Sequence, residues 1–394
     1  MDVISLHYIL TLTHASYSEA TSFSNIAAAF KGSSGGADYP EKTTPDSLPL
    51  DISPEVSNNG TLSFDRRANA TFVILARNSD VEGTVRSVRE IEDRFNRYYR
   101  YPYVLLNDKE WEPSVVEDVR WRDAGSLSFV FGVVPSSDWV QPDWIDEDKA
   151  KESRDKMVEE NVIYGGSVSY RNMCRFNSGF FFRHPLLLPY RWYWRIEPDV
   201  HFHCDLTFDP FVWMEDHEKA YAFTITMYEF ERTIPTLWET TKGFWKSVWK
   251  SFGGKGGDFM KQHPEYIAED NSMGYLSDNG GDTYNLCHFW SNFEIADMNF
   301  WRSKPYMDYF EYLDSKGGFY YERWGDAPVH SLAASLFLPK SKIQFFDEIG
   351  YEHNPYTHCP QKEETWRKGR CTCDRGRSFD YDGYSCMSKW DRIQ

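Results

Sequence analysis

Two carboxylates on either side of a proline follow an extended aromatic segment. The segment Trp192–Ile196 is rich in aromatic and β-branched residues, which favours a strand, and Glu197, Pro198 and Asp199 follow it directly. Proline biases the preceding residue away from helix, so both acidic side chains are expected to converge on one point. Such a pair suits a hard divalent cation and the diphosphate that it carries. A solvated turn at a sheet edge is the alternative interpretation.

The overall composition is aromatic and acidic. Of the 394 residues, 17% are aromatic, and the formal net charge is −17. The length suffices for a sizeable core, and aromatic rings supply both core volume and the flat surfaces on which sugars stack. Because so acidic a surface repels nucleic acid and anionic lipid, a phosphate-bearing ligand is expected to bind through a metal ion.

The cysteines are concentrated near the C-terminus. Of the seven in the chain, four lie in a segment without apolar periodicity: Cys359, Cys371, Cys373 and Cys386. This pattern predicts a disulfide-stapled tail. A zinc site built from His358 and the three nearest cysteines is the alternative, although a C-x-C pair lacks the usual spacing. The odd number of cysteines leaves one thiol free or shared between chains.

The N-terminal region differs from the rest of the chain. Its apolar run Ile4–Leu12 is too short to span a bilayer, and residues 31–65 are rich in Gly, Ser, Pro and Asp. Sequons at Asn59 and Asn69 agree with a secretory setting. We predict three segments: a flexible stem at 1–65, a catalytic domain at 66–360, and a cysteine-rich tail at 361–394 packed on that domain.

Strands and helices alternate in the catalytic segment. The apolar run Thr71–Ala76, helical spacing from Val81 to Phe95, and the run Tyr103–Leu106 predict a β-α-β unit with parallel strands. Further strands are expected at 126–134 and 222–227, the latter ending at Tyr228-Glu229, and further helices at 143–160 and 236–252. The alternation predicts an α/β fold with the acidic elbow 197–199 near the centre of the sheet.

The carboxyl end of the first strand is the expected nucleotide pocket. Ligands of parallel sheets bind beyond the carboxyl ends of the strands, which assigns Ala76, Arg77 and Asn78 to this pocket. No Gly-rich phosphate loop follows the strand, which argues against a dinucleotide-dependent oxidoreductase.

Six blocks of the sequence resemble one known family. They are YGGSVSYRNMCRF, YRWYWRIEPDVHFHCDL, TIPTLW, CHFWSNFEIADMNFWRS, GGFYYERWGDAPVHS and IGYEHNPY, in this order. Across residues 65–360 the chain is similar to the fungal KTR-type Golgi α-1,2-mannosyltransferases, glycosyltransferase family fifteen. The resemblance implies a GT-A type α/β fold, with a mixed central sheet flanked by helices. It also implies retaining transfer of mannose from GDP-mannose to a mannose-terminated glycan of a glycoprotein or glycolipid, in cell-wall mannan synthesis.

The resemblance also implies a manganese ion. Glu197 and Asp199 stand where related GT-A enzymes carry an Asp-x-Asp metal motif, and His353 matches a histidine that the family recruits. Two carboxylates and an imidazole suit Mn²⁺ better than Mg²⁺. A loop histidine without a ligand role is the alternative for His353.

The remaining roles are assigned by the same resemblance. Glu294 is the candidate nucleophile, Tyr170 and Arg171 lie near the diphosphate and the transferred sugar, Asp326 binds a sugar hydroxyl, and Arg195 belongs to the donor site. Retention proceeds through a covalent glycosyl-carboxylate or by front-face attack beside the same carboxylate, and the residues do not separate these routes.

Several structural alternatives stay open for these residues. Glu294 is alternatively a structural acid paired with a backbone donor or with Arg302, and Tyr170 a packing residue. The tryptophans are candidate acceptor platforms or core residues: Trp290, Trp301 and Trp324.

Two other classes of protein are considered. One is an inactive mannan-binding protein on the same fold, and the other is a metal-independent mannoside hydrolase that uses Glu294 and Asp326 as its acid pair. The family is anchored in the Golgi membrane as type II proteins facing the lumen. Because no clear transmembrane segment is visible here, membrane attachment is left open.

Overall fold

The computed structural model describes residues 55–56, 62–63, 66–121, 128–251 and 266–394. The chain divides into two units, and these residues all belong to the second, Pro49–Gln394. The predicted stem at 1–65 lies outside the described residues, apart from two short strands. Among the described helices, none is long and apolar enough to cross a bilayer.

The strands are short and distributed along the whole described chain. In chain order they are β1 (Glu55–Val56), β2 (Leu62–Ser63), β3 (Ala70–Leu75), β4 (Tyr103–Asn107), β5 (Phe129–Val133), β6 (Trp192–Arg195), β7 (Val200–Phe202), β8 (Tyr221–Phe223), β9 (Thr226–Tyr228), β10 (Cys287–Phe289), β11 (Glu294–Asp297), β12 (Ile343–Phe345), β13 (Tyr351–His353) and β14 (Tyr356–His358).

Helices lie in the longer segments between the strands and after the last strand. They are α1 (Val81–Ile91), α2 (Arg97–Tyr99), α3 (Pro113–Trp121), α4 (Ser136–Trp139), α5 (Glu147–Glu159), α6 (Val168–Gly179), α7 (Pro210–Asp216), α8 (Leu237–Ser251), α9 (Met273–Leu276), α10 (Met298–Trp301), α11 (Lys304–Asp314), α12 (Gly318–Tyr321), α13 (Asp326–Phe337), α14 (Glu363–Lys368) and α15 (Met387–Asp391).

A mixed sheet of seven strands organises the fold, in the order β12-β8-β11-β6-β3-β4-β5. β6, β3, β4 and β5 are parallel, and β11 runs antiparallel to both β6 and β8. The predicted parallel β-α-β unit is therefore confirmed as β3-α1-β4. β6 is the middle strand, so the acidic elbow that follows it leaves the centre of the sheet, as expected.

Both faces of the main sheet are covered by apolar layers. On β6, Trp192 and Trp194 are fully buried on one face, whereas Tyr193 is buried on the other. Side chains of a strand alternate between faces, so Arg195 shares the face of Tyr193. Arg195 and the acidic elbow therefore lie at the end of a strand that is buried on both faces.

Two smaller sheets flank the main one. β7 pairs with β13, and β13 with β14, all antiparallel, which sets His353 directly opposite Val200. The strand expected at 222–227 is wrong as a single element: it divides into β8 in the main sheet and β9, which pairs with β10. The chain changes sheets at Thr224 and Ile225, and Glu229 follows the second half.

Three disulfides bind the tail to the rest of the unit, as predicted. They join Cys204 to Cys371, Cys287 to Cys386, and Cys359 to Cys373. The alternative zinc site is therefore wrong, because all of its cysteines are oxidised. The remaining cysteine, Cys174, is buried and free.

Candidate functional site

The elbow after β6 is shaped by its contact with α1. Asp199 adopts a left-handed backbone conformation with φ of 62°, and its N–H donates to the carbonyl of Gly83 at 3.2 Å. A Cβ at Gly83 would lie 2.6 Å from the Asp199 carboxylate, so any other residue there would displace this side chain. Arg86, one turn further along α1, contacts the same carboxylate at 3.1 Å. Helix α1 thus holds both the backbone and the side chain of Asp199.

Arg195, the last residue of β6, joins two of the predicted acids. Its guanidinium lies 2.6 Å from Glu197 and 2.6 Å from Asp326. The hydroxyl of Ser291 donates to Asp326 at 2.8 Å. Burial alone would raise the pKa of Asp326, but the charges of Arg195 and His330 and the hydrogen bonds from Arg195 and Ser291 together hold the pKa below its ordinary value. Asp326 is therefore a carboxylate at neutral pH.

Glu294 lies deepest in the site. It stands opposite Arg195 in the β11–β6 pairing and is fully buried. The hydroxyls of Tyr193 and Tyr221 donate to its two oxygens at 2.8 and 3.1 Å, and Nδ1 of His330 lies 2.8 Å away. Burial first, and then the charge of Glu294, raise the pKa of both tyrosines well above the ordinary value, so both stay protonated donors.

The predicted carboxylates descend from the surface into the core. The exposed fraction of the side chain is 61% for Asp199, 17% for Glu197, 7% for Asp326 and 0% for Glu294. Glu197 and Glu294 are close in the fold, because both border Arg195. A ligand held at the exposed pair would therefore extend towards the deep pair.

His353 faces the same site from β13. Its Nδ1 lies 2.6 Å from the side-chain nitrogen of Asn292, and its ring stacks on Trp290 at 5.2 Å between centroids. Burial lowers the pKa of His353, and Glu197 only partly opposes this. The neutral imidazole, which is the form that binds metals, is therefore favoured at neutral pH. Asn292 and Trp290 fix the orientation of its ring.

The donor set fits manganese by type. Glu197, Asp199 and His353 offer two carboxylates and a neutral imidazole, a combination that Mn²⁺ accepts. In the structure the two carboxylates are paired with Arg195 and Arg86 instead of facing one another. The three side chains therefore do not form a metal cage in this structure, and both carboxylates would have to leave their arginine partners to bind one ion.

Within the described residues, one group brings three potential metal ligands within 4.8 Å of one another: Asp347, His358 and Asp380. The ligand atoms of the predicted set, Glu197, Asp199 and His353, do not come that close together. Nδ1 of His358 lies 2.9 Å from Asp380, and Nε2 lies 3.1 Å from the backbone carbonyl of Asp347. Both ring nitrogens are thus already paired, so the geometry indicates a buried ion pair.

Tyr170 projects from α6 into the same region. The guanidinium of Arg323 lies over its ring at 5.2 Å, and Tyr164 stacks on it at 4.6 Å. Burial raises the pKa of Tyr170 well above its ordinary value, and Asp326 and Glu229 add to the effect. Its hydroxyl is therefore a neutral donor, and its hydrogen-bond partner in the structure is the side chain of Cys174.

Two of the predicted donor-site residues, Arg77 and Asn78, have polar side chains and lie just beyond the end of β3, at the expected edge of the sheet. Arg77 donates to the hydroxyl of Ser169 at 2.9 Å, which links the end of β3 to the helix that carries Tyr170. Asn78 donates to the carbonyl of Glu110 at 3.0 Å. Ala76 is buried just before them.

Arg171 does not contact the other predicted site residues through its side chain. It is fully buried, and its guanidinium donates to the backbone carbonyls of Gly165, Ser167 and Glu322. This placement gives it a packing role and leaves it no free donor contact with a diphosphate. Arg302 likewise serves backbone carbonyls, at Phe182, Tyr190 and Leu187, and does not pair with Glu294.

The three tryptophans divide between core and site. Trp301 and Trp324 are fully buried, so they are core residues and not acceptor platforms. Trp290 is half-buried beside His353.

Sequence reasoning missed several residues of the site. Arg86 and Gly83 lie on a helix whose sequence shows only an amphipathic pattern, and nothing in the sequence around Ser291 indicates a role in the site. Glu229 and Arg323 reach the site from two separate loops, and their side chains are 4.0 Å apart. Only the position of Glu229 at the end of an expected strand could have indicated it.

The mixed sheet and the acidic site beyond its central strands place the chain in the GT-A class of glycosyltransferases, which confirms the predicted fold. A family model described as glycolipid 2-alpha-mannosyltransferase matches residues 36–394. The chain belongs to this family and is a mannosyltransferase.

Curated relatives agree with this assignment. The chain is 50% identical over 324 residues to glycolipid 2-alpha-mannosyltransferase 2 of Candida albicans, covering 82% of this chain and 67% of the relative. It is 47% identical over 326 residues to the O-glycoside alpha-1,2-mannosyltransferase omh1 of Schizosaccharomyces pombe, covering 83% and 79%.

Solved structures are similar as well. The mannosyltransferase Ktr4p of S. cerevisiae in complex with GDP matches with a TM-score of 0.75 and 38% identity, over 83% of this chain and 82% of that one. Core-mannan synthase A of Aspergillus fumigatus, in an Mn/GDP form, matches with a TM-score of 0.73 and 34% identity, over 87% and 88%.

Proposed function

We propose that this enzyme is a retaining α-1,2-mannosyltransferase that moves mannose from GDP-mannose to a mannose hydroxyl of glycoprotein or glycolipid glycans, in cell-wall mannan synthesis. The observation that carries the proposal is the descending series of carboxylates joined by Arg195. GDP and Mn/GDP in the similar solved structures support the donor and the metal.

In this proposal the exposed end of the site holds the diphosphate. Glu197, Asp199 and His353 would bind Mn²⁺, which neutralises charge on the leaving diphosphate when bound. Arg77 and Asn78, at the end of β3, border the nucleotide. Because the imidazole of His353 is neutral, it has no proton to lose before it binds the metal.

The deep end of the site would receive the mannose. Asp326, kept ionised by Arg195, accepts a sugar hydroxyl, and Tyr170 donates a hydrogen bond beside it. Glu294 provides a fixed negative charge beneath the anomeric carbon. Its two oxygens already accept hydrogen bonds from Tyr193 and Tyr221, which supports stabilisation of an oxocarbenium-like centre over movement to a covalent bond.

The hydrolase alternative is disfavoured by the state of Asp326. A glycosidase needs one acid with a raised pKa that protonates the leaving group. Arg195 does the opposite, because it holds the pKa of Asp326 below its ordinary value. The remaining alternative is an inactive binding protein, and measured turnover would exclude it.

We further propose a location in the Golgi lumen, by family resemblance, as a type II membrane protein. The three disulfides support an oxidising compartment of the secretory pathway.

One assay tests the proposed activity. The protein is incubated with GDP-mannose, methyl α-mannoside and Mn²⁺, with and without a chelator, and the product linkage is read by NMR. An α-1,2-linked disaccharide formed only with metal supports the proposal. Donor binding without turnover indicates the inactive protein, and cleavage of a mannoside without nucleotide indicates the hydrolase.

A further inference from the structure

A row of aromatic side chains leads away from the predicted metal ligand His353. Trp290 stacks on the imidazole, and the next ring centroids follow at 5.6 Å (Trp290 to Tyr356), 6.3 Å (Tyr356 to Tyr384) and 6.1 Å (Tyr384 to Phe230). These four residues, Trp290, Tyr356, Tyr384 and Phe230, are called the aromatic row below. Its rings come from four separate segments of the chain.

The outer end of the aromatic row is open to solvent. Phe230 is 52% exposed, which is unusual for so large an apolar side chain, and the other three rings are half-buried. Tyr384 belongs to the C-terminal tail, and its carbonyl accepts from the N–H of Tyr228 at 3.2 Å. The disulfide between Cys287 and Cys386 anchors the tail two residues further on.

Polar groups accompany the rings. Glu229 precedes Phe230, and its carboxylate would be 3.8 Å from a Cβ at Gly325, the residue before Asp326. Burial, and then the charge of Glu229, raise the pKa of Tyr384 to about 12, so its hydroxyl stays a donor. Flat rings flanked by a carboxylate and a phenol are the groups that recognise sugars, because rings cover their apolar faces and polar groups bind their hydroxyls.

We propose that the aromatic row is the acceptor-binding surface of the enzyme, and that the C-terminal tail supplies its central ring, Tyr384. The inference rests on the proposed function and adds where its acceptor binds. The occupant is an oligosaccharide of at least two mannose units, because successive rings are spaced about one sugar apart along a path that begins at His353. The row therefore selects longer acceptors over a single mannoside.

Kinetics of two acceptors test the inference. Tyr384→Ala and Phe230→Ala are compared with Tyr384→Phe, which keeps the ring, and with Tyr98→Ala, which removes an exposed ring outside the row. We expect the KM for α-1,2-mannobiose to rise about three- to tenfold in both alanine variants, the range for losing one aromatic contact. The KM for GDP-mannose, and kcat, should stay near wild type in all four. The KM for methyl α-mannoside should change less in Phe230→Ala.

Two results would overturn the inference. An unchanged KM for mannobiose in both alanine variants would remove the row from acceptor binding. An equal rise in the KM for GDP-mannose would mean that the aromatic row belongs to the donor site or only stabilises the fold. Melting temperatures of the variants distinguish these two explanations.

Direct binding keeps this test independent of turnover. Saturation-transfer NMR is used to observe mannobiose on the protein with GDP and Mn²⁺ present. If the wild-type protein transfers no mannose, the proposed function fails, and weaker mannobiose binding by Tyr384→Ala would then show only that the row binds mannose. If the wild-type protein transfers mannose and Tyr384→Ala binds mannobiose as wild type does, the inference alone fails.

Discussion

At the scale of single residues, Arg195 explains how three of the four acids are tolerated in one site. It pairs with Glu197 and Asp326 and lies opposite Glu294, so it balances charges that would otherwise repel one another in a buried place. Burial would lower the pKa of Arg195, but these acids raise it well above the ordinary value. The site is therefore held together by one permanent cation before any ligand enters.

Replacement of Glu294 tests its role in the reaction. Glu294→Gln keeps the shape but removes the charge beneath the anomeric carbon, so we expect kcat to fall at least about a hundredfold. The affinity for GDP should stay near wild type, because Glu294 is fully buried and is not one of the proposed metal ligands. Tyr193→Phe is the matched control: it removes one hydrogen bond to Glu294 and keeps the charge. An active Glu294→Gln enzyme would exclude the residue from the mechanism.

Replacement of His353 tests the metal site. His353→Ala should weaken Mn²⁺ binding about tenfold or more in the presence of GDP, measured by calorimetry. Asn292→Ala should weaken it less, since it removes only the partner of Nδ1. Because burial lowers the pKa of His353, the wild-type affinity should hold as pH falls through the ordinary histidine range near about 6.5 and decline only below it. Unchanged Mn²⁺ affinity in His353→Ala would rule it out as a ligand.

The acids of the site were predictable from sequence, whereas their partners were not. Glu197 and Asp199 stand out because a proline lies between them at the end of a strand. Arg86 and Ser291 are ordinary surface-type residues whose contacts with Asp199 and Asp326 arise only when distant segments meet. A spacing pattern carries no information about such pairs.

At the scale of elements, the approach of α1 to the elbow is the feature that positions Asp199, one of the proposed metal ligands. We expect Gly83→Ala to leave thermal stability within about 1 kcal/mol, because alanine favours the helix. Its Cβ would meet the Asp199 carboxylate at 2.6 Å, so the elbow must shift and the affinity for Mn²⁺ and GDP should fall. Gly274→Ala, in another helix, is the control and should leave the affinity unchanged. Equal affinities in both variants would show that the elbow tolerates the contact.

The buried pair between β14 and the tail makes a separate, pH-dependent contribution. Burial alone would lower the pKa of His358, but Asp380, at 2.9 Å, raises it above its ordinary value. A raised histidine pKa adds stability that is fully present below the unfolded-state pKa and is lost as pH rises through the folded-state pKa.

Exchange of both partners tests this contribution. The free energy of unfolding of wild type should exceed that of His358→Gln/Asp380→Asn most below about pH 6.5, and the difference should shrink as the pH is raised. Denaturant titrations at several pH values measure it. A difference that is constant with pH would mean that the pair does not titrate with folding.

The elements were predicted best where the signal is local. β3, α1 and β4 show clear periodicity, and their parallel pairing follows from the crossover helix. The division of 222–227 between two sheets was missed, because an apolar run does not reveal a change of partner at Thr224 and Ile225. The antiparallel pairing of β11 between β6 and β8, which positions Glu294, likewise joins segments far apart in sequence.

At the scale of the whole molecule, the cysteine-rich tail is part of the active protein and not an appendage. Its disulfide to Cys287 attaches it to β10, whose partner β9 leads into Glu229 and Phe230. A second disulfide joins it to Cys204, shortly after β7, the strand that follows the acidic elbow. The tail is therefore linked separately to β10 and to the segment after β7, and each link can be tested alone.

Removal of one link should separate acceptor binding from donor binding. We expect Cys287→Ser/Cys386→Ser to lose about 2–5 kcal/mol of stability, the usual range for a native disulfide. At a temperature where the variant remains folded, the KM for mannobiose should rise as Tyr384 loses its anchor, while the affinity for GDP with Mn²⁺ stays near wild type. Cys359→Ser/Cys373→Ser, which opens the disulfide between the residue after β14 and the tail, is the control for a general loss of stability. If both variants weaken donor and acceptor binding in parallel, the tail serves stability alone and has no separate part in the acceptor surface.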